Sequence, residues 1–383
     1  MSGKKLVYVI NHTAFFVSHR LPLAIAAKKK GWDVLLITGQ EGSKVMGKSA
    51  EEKLRIHDIN HKRVAFTTIG LNPFREILGL IQIFFIVKKY RPDVMHTASP
   101  KGNLYGGIIA RISGVKGLVV AISGMGFLFT GKSGILKRIA GKIYVKFISI
   151  VYSHPNIKII VQNHDDSDLL INSGIVDKSN VTLIPGSGVE LDRYLNISEE
   201  ESQNLVILPA RMLKDKGVLE FVEAVKILKH RGINWQFILV GAADYLNPTS
   251  VPREKIEGWV NDGIIDWWGH QEDMFEAYSQ AGIVCLPSYR EGMPKTLLEA
   301  AAAGRAVVTT NVTGCREAIL PGKTGLLVNA RDSSGLADAL EILIRNPKKR
   351  LDFGRAGRKL AIEKFDLKII TKDIMNIYSE IST

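Results

Sequence analysis

The chain has 383 residues, 46% hydrophobic and 23% charged, which excludes a disordered polymer and exceeds what a single core usually supports, so two domains are expected. The only cysteines, Cys285 and Cys315, have no second ligand pair beside them, which argues against a disulfide framework or a zinc site and points to the reducing cytoplasm. The net charge of +13 is uneven: residues 1–190 hold 26 Lys and Arg against 12 Asp and Glu, a surplus of +14, whereas residues 191–383 hold 25 against 26. An acidic partner is therefore expected on the first half.

In chain order, residues 6–10 read as a strand, 21–30 as a helix stopped by Gly31, and 33–38 as the next strand, which makes a βαβ unit. The chain runs into this first strand without the apolar stretch and small-residue cleavage site of a signal peptide. The longest apolar run, 77–87 with Gln82 inside it, is shorter than the roughly 18–20 residues a spanning helix needs. Alternation continues through 93–96, 104–113, 117–122, a helix near 135–152, 157–161 and 181–184. A polar stretch from Pro185 to Gln203 then reads as an interdomain linker. Strands at 205–208, 235–240, 264–268, 283–286 and 306–309 follow, with a helix at 218–229 and amphipathic helices at 347–364 and 366–380. The reading is an α/β chain of two doubly wound Rossmann-like domains facing a cleft. The first spans 1–190, a linker 191–204 and the second 205–365, while 366–383 can cross back to brace the first.

In open parallel sheets, ligands bind beyond the carboxyl ends of strands, where helix N-termini present backbone donors. After the strand at 205–208 come Arg211 and Lys216, just before a helix. Two cations at a helix start suit a diphosphate, and the alternative is a pair of solvated loop cations. The strand at 283–286 leads into Pro287-Ser-Tyr-Arg-Glu291-Gly-Met-Pro-Lys-Thr-Leu-Leu-Glu299. Pro294 fits the first turn of a helix that Gly304 ends, so Glu291 lies in the turn and Glu299 within the helix. Two carboxylates then bracket a helix start. The layout suits sugar hydroxyls at one end, a diphosphate in the middle and a ribose at the other; the bland alternative is one surface and one helix-face glutamate.

The segment Glu291-Gly-Met-Pro-Lys-Thr-Leu-Leu-Glu299 resembles the Glu-x7-Glu motif of family 4 retaining glycosyltransferases, and Arg211 and Lys216 match that family's paired cations. The resemblance extends over 11–20, 96–130 and 314–328. It implies the GT-B fold, a UDP-sugar donor and no metal or other cofactor. Under it, Glu299 binds the ribose, Glu291 contacts the transferred sugar, and Gly292, Met293 and Pro294 lie along that sugar, with Lys295 and Thr296 also at the donor. Arg211 and Lys216 stabilise the departing diphosphate, since its loss with retention needs charge stabilisation more than a strong base. Asn11 and Thr13 occupy a turn that family members place against the donor diphosphate, although the family's glycine is missing here. For the acceptor, His96 and Ser123-Gly124 are read at strand ends, and His19 and Arg20 at the start of the first helix within reach of an acceptor phosphate, a reach that Lys101 could share. Asp166 and Asp168 resemble a metal-binding pair but sit where acids favour a helix start.

Between Asp93 and Asp165 there is no acidic residue. The segment from Lys132 to Tyr152, with Lys137, Arg138, Lys142 and Lys146, is basic and apolar together and could lie on an anionic membrane surface. Segments 96–107 and 123–127 look like bacterial transferases that extend undecaprenyl-diphosphate-linked sugars. The expected partners are therefore a UDP-sugar, a polyprenyl-diphosphate-linked saccharide and the inner face of the cell membrane, bound peripherally. The expected reaction is transfer of N-acetylgalactosamine or another N-acetylhexosamine. Two alternatives differ in class: an isomerase like the UDP-N-acetylhexosamine 2-epimerases, which share the two-domain build, and a basic nucleic-acid-binding protein, which no zinc or aromatic-interleaved motif supports.

Overall fold

The computed structural model describes residues 3–40, 44–67, 72–124, 147–199, 204–244 and 247–383. The chain forms two compact units, Met1–Ser187 with Ile370–Thr383, and Gly188–Ile369.

The first unit is built on seven parallel strands: β1 (Lys5–Ile10), β2 (Asp33–Thr38), β3 (Asn60–Arg63), β4 (Val94–Ala98), β5 (Gly117–Ile122), β6 (Ile157–Val161) and β7 (Val181–Leu183). Their order in the sheet is β3-β2-β1-β4-β5-β6-β7. Because helices cover both faces, β1, β4 and β5 are buried along almost their whole length and read as continuous apolar runs rather than alternating ones. The helices are α1 (Thr13–His19), α2 (Leu21–Lys29), α3 (Lys44–Ile56), α4 (Pro73–Tyr90) and α5 (Pro100–Ser113), followed by a helical stretch at 147–152. One core joins α2 to β1 and β4 and takes in Ile370, Ile374, Met375 and Tyr378 from the last helix, Leu367–Ile381. The other lies beneath α4 and α5. There Gly107 lets the backbones close up, since a Cβ would stand 2.3 Å from the Val151 side chain.

The second unit has six parallel strands, β8 (Leu205–Pro209), β9 (Gln236–Val240), β10 (Asp266–Gly269), β11 (Ile283–Leu286), β12 (Ala306–Thr310) and β13 (Gly325–Val328), in the order β10-β9-β8-β11-β12-β13. The order reverses between β1 and β4 in one sheet and between β8 and β11 in the other, and such switch points are where doubly wound sheets open a crevice.

Several elements differ from the sequence reading, each for a local reason. Strand β3 is Asn-His-Lys-Arg at the sheet edge, held by its ladder to β2 without any apolar alternation to reveal it. Helix α4 is apolar on both faces, so its period is hidden. Helix α1 has seven residues and is capped by His12, whose Nδ1 accepts from the Phe15 amide at 3.2 Å, a cap outside the usual Ser, Thr, Asp and Asn set. Helix α1 was not expected, and His19 ends it; Arg20 joins it to α2 and caps the start of that helix, the one read at 21–30. His96 lies in the middle of β4 rather than at its end, because the strand runs on to Ala98. In the stretch read as a linker, Leu191–Tyr194 is helical, and Leu191, Tyr194 and Ile197 pack in the second unit's core. The helix Pro347–Leu360 runs into a π-helical turn, Ala361–Phe365. Lys132, Lys137, Arg138, Lys142 and Lys146 lie outside the described residues. Among the described residues no helix is long and apolar enough to cross a membrane.

Candidate active site

Three loops meet at the carboxyl ends of β8, β11 and β12. The turn after β8 ends at Gly217, whose φ is +73° and whose Cβ, if present, would stand 2.2 Å from the Pro287 carbonyl oxygen. Only glycine permits this approach of the β8 and β11 loops. The Tyr289 amide donates to the Asp215 carbonyl at 2.9 Å, and the Glu291 amide donates to the Thr313 carbonyl after β12 at 3.1 Å. Gly314, φ +82°, lies against Glu291 so tightly that a Cβ would be 2.5 Å from its carbonyl oxygen. The backbone of Glu291 is thus fixed from both sides.

Its side chain is fixed as well. Lys216 Nζ donates to Glu291 Oε1 at 2.5 Å, and Ser288 Oγ donates to the same oxygen at 2.7 Å. The lysine and glutamate side chains are 23% and 12% exposed, so the pair is half-desolvated yet reachable. Arg211 Nη1 donates to Asp244 Oδ2 at 2.9 Å, with the guanidinium otherwise turned to solvent.

Glu299 lies on the helix Lys295–Ala302, whose cap is Pro294. Tyr278 Oη donates to Glu299 Oε2 at 3.1 Å, and Lys295 Nζ stands 3.3 Å from Oε1. Burial first, and then the neighbouring Glu299 charge, raise the Tyr278 and Tyr194 hydroxyls well above the ordinary tyrosine value, so both stay protonated and able to donate. Thr296 Oγ1 donates to the Pro209 carbonyl at 3.2 Å, joining this helix to the end of β8. Gly292, Met293 and Pro294 are buried in the intervening turn. The two carboxylates therefore occupy distinct settings within one unit: Glu291 beside a lysine in a turn, Glu299 beside phenols within a helix. A cation, a helix start and two oriented carboxylates form a cradle able to hold an anionic group flanked by hydroxyl-bearing rings. Among the described residues no group of three or more His, Cys, Asp and Glu side chains could hold a metal ion.

Ser288, Tyr278, Tyr194 and Asp244 were not singled out from sequence. Ser288 lies in the run 287–299, but its hydroxyl points at Glu291 only because the loop folds back. Tyr278, Tyr194 and Asp244 come from other elements, and nothing in their local sequence marks them.

Of the acceptor- and donor-side residues expected in the first unit, three are engaged by their neighbours. His96 is fully buried between Tyr8 and Tyr378, with Nδ1 bonded to the Tyr378 hydroxyl at 2.5 Å. Burial, then the Arg20 charge, depress its pKa well below the usual value, so it is neutral. Arg20 is 4% exposed, and its Nη1 donates to the His19 carbonyl. Lys101 Nζ reaches Glu76 Oε1 at 2.9 Å and the Thr67 carbonyl at 2.6 Å. These three side chains are occupied inside the first unit. His19 stacks on Phe15 at 4.4 Å and is half-buried, and Ser123 and Gly124 remain at the carboxyl end of β5. Asn11 Oδ1 accepts from Ser99 Oγ and from the Gly102 amide, tying the β1 and β4 turns together, and Thr13 is buried in the first turn of α1. Asp166 accepts from Asn163 Nδ2 and is buried at a helix start, in accord with its structural reading.

Two family models match the chain: glycosyl transferase 4-like over residues 5–155 and glycosyl transferases group 1 over residues 203–346. The chain is similar to the N,N'-diacetylbacillosaminyl-diphospho-undecaprenol alpha-1,3-N-acetylgalactosaminyltransferase of Campylobacter jejuni, 25% identical over 97% of this chain and 98% of that one. It is also similar to the UDP-Gal:alpha-D-GlcNAc-diphosphoundecaprenol alpha-1,3-galactosyltransferase of Escherichia coli, 24% identical over 71% of each. Among solved structures, the Anabaena protein HepE in complex with UDP superposes with a TM-score of 0.76 at 16% identity, covering 98% of this chain and 100% of that one; the fold is GT-B.

Proposed function

The chain belongs to the group 1 glycosyl transferases, the family 4 retaining enzymes that use a nucleotide sugar, and from that premise we propose that it moves an N-acetylhexosamine from UDP onto a polyprenyl-diphosphate-linked saccharide in bacterial surface-glycan assembly. N-acetylgalactosamine is the first donor to try. The two relatives differ in the sugar they move but share an undecaprenyl-diphosphate acceptor and an alpha-1,3 linkage, so the acceptor class is the better-supported half of the reading. Family membership leaves the isomerase and nucleic-acid readings without a supporting observation.

The observation that carries the mechanism is the Lys216–Glu291–Ser288 constellation at the switch point of the second sheet. Lys216 and Arg211 meet the diphosphate and stabilise the charge it gains on leaving. Glu291, held by Ser288, accepts hydrogen bonds from hydroxyls of the transferred sugar along Gly292, Met293 and Pro294. Glu299, oriented by Tyr278, takes the ribose. The acceptor oxygen bonds to the anomeric carbon on the face the diphosphate leaves, and the broken C–O bond leaves its electron pair on UDP. The hydroxyl proton passes to a phosphate oxygen. No metal enters this scheme, because lysine, arginine and the helix start supply the positive charge. In this reading the enzyme works at the inner membrane face, held there by the basic first unit.

The test is a panel of UDP-sugars offered with a synthetic polyprenyl-diphosphate monosaccharide, in the presence of a chelator, read by mass spectrometry. Addition of one N-acetylhexosamine mass supports the assignment. Conversion of the UDP-sugar with no acceptor present, or dependence on added metal, rules it out.

A further inference from the structure

Helix α4 carries apolar residues where a domain helix should be polar. Its inner face is ordinary: Ile83 and Val87 are buried in the first unit's core, and Gly79 packs on Phe66 so closely that a Cβ would lie 2.8 Å from the Phe66 nitrogen. Its outer face presents Phe74, Ile77, Leu78, Ile81 and Phe85, which are 85%, 57%, 49%, 47% and 65% exposed. At the helical repeat these five fall within an arc of roughly 100°, and Lys88 and Lys89 continue that arc in the last turn. Beside α4, Ile112 of α5 and Phe147 and Ile150 of the next helical stretch are exposed too. Helices α4 and α5 and residues 147–152 expose no carboxylate: Glu76, the sole acid in these three segments, is buried against Lys101 and Thr67. Arg75, Lys88, Lys89 and Arg111 are exposed.

We propose that the outer face of α4 docks on an anionic lipid bilayer, with the five apolar side chains in the acyl boundary and the lysines at the headgroups. Large exposed apolar patches mark interaction surfaces, and the charge selects the occupant. A second copy of the chain would bring the same cations against these with no acid to answer them, whereas anionic headgroups complement them and acyl chains cover the stripe. The helix lies along the surface rather than across it, because Ile83, Val87 and Gly79 are committed to the core. This deepens the lipid-linked-acceptor reading and rests on it for its purpose, and it gives the anchor a position on α4.

The test is flotation with vesicles of phosphatidylcholine, alone or mixed with phosphatidylglycerol, comparing the wild-type chain with a variant combining Phe74→Gln, Ile81→Gln and Phe85→Gln. The wild type should float with the mixed vesicles, and the variant should bind them at least ~10-fold more weakly. Thermal unfolding should be unchanged, since all three side chains are exposed. So should transfer onto a short-chain, water-soluble polyprenyl-diphosphate acceptor. Equal flotation of both proteins, no flotation of the wild type, or a wild-type dimer in sedimentation that the substitutions dissolve would each overturn the proposal. Vesicle binding lost in the variant, with the wild type inactive on every lipid-linked acceptor, would sink the acceptor reading and leave the docking surface supported.

Discussion

Replacing Lys216 with alanine strands the Glu291 carboxylate, which is 12% exposed and keeps Ser288 Oγ, 2.7 Å away, as a donor. At 2.5 Å the gross attraction of the pair is roughly 6–7 kcal/mol for an effective dielectric near 20. Desolvation of both ends and the partial exposure of the lysine cancel most of it, leaving a stability loss of about 1–3 kcal/mol. The kinetic loss has a separate origin: a cation aimed at the leaving group is worth about 10²–10³ in kcat. A double-mutant cycle separates the two. In Lys216→Ala with Glu291→Ala the stranded charge is gone, so stability should recover to within about 1 kcal/mol of wild type while turnover stays low. Urea unfolding followed by tryptophan fluorescence suits the stability arm, because Trp235, Trp259, Trp267 and Trp268 all lie in the second unit and Trp32 alone in the first. The turnover arm uses saturating UDP-sugar. A fall in kcat of less than about tenfold in the single variant, or recovery of kcat in the double variant, would refute the leaving-group role.

The two carboxylates should separate in calorimetry. Glu299→Ala is expected to weaken UDP binding by about 10–100-fold through loss of charge-assisted hydrogen bonds, whereas Glu291→Ala should cut transfer and leave UDP affinity near that of wild type; equal losses would contradict the assigned ends. Gly314→Ala should push the Glu291 backbone aside and lower kcat about 10²-fold. Gly322→Ala is a matched control, with φ +73° and open space at its Cβ, and should cost about 1 kcal/mol of stability without a kinetic effect. A clash-free Gly322 variant as slow as the Gly314 one would remove the positioning argument. The first unit should weaken in acid. His96 is buried neutral with its pKa below the ordinary 6.5, so the unfolded chain takes up a proton the fold refuses. Its contribution is complete above that value and is lost as pH falls, by up to about 1.4 kcal/mol per pH unit. Urea midpoints at about pH 5 and pH 7.5 should diverge less in His96→Gln than in wild type, and an unchanged difference would count against the buried histidine as the source.

Much of the fold was legible because doubly wound sheets write themselves into sequence. Buried parallel strands such as β1, β5 and β11 are short continuous apolar runs, and their boundaries follow from the turns that bracket them. The elements that escaped lacked that contrast: β3 is polar and owes its conformation to β2, and α4 is apolar all round, so no period distinguishes its two faces. The Glu291–Glu299 motif was readable for a different reason, since strand, turn, proline and helix are contiguous and local chemistry places both carboxylates.

Residue order could not say which side chains are spent. Lys101, Arg20 and His96 carry the right chemistry for a charged acceptor, yet Glu76 and Thr67 engage the first, the α1–α2 junction buries the second, and Tyr378, some 280 residues away in the chain, occupies the third. Likewise Ser288, Tyr278 and Asp244 became partners of the candidate site only when the loops after β9 and β11 and the helix Phe275–Gln280 came together with it. Most strands, the paired carboxylates and the uneven charge are legible in residue order, because each depends on neighbours along the chain or on composition. Which charged groups pair, which are buried and which apolar face of α4 is left in solvent emerge with the folded chain, because they depend on contacts between residues distant in sequence.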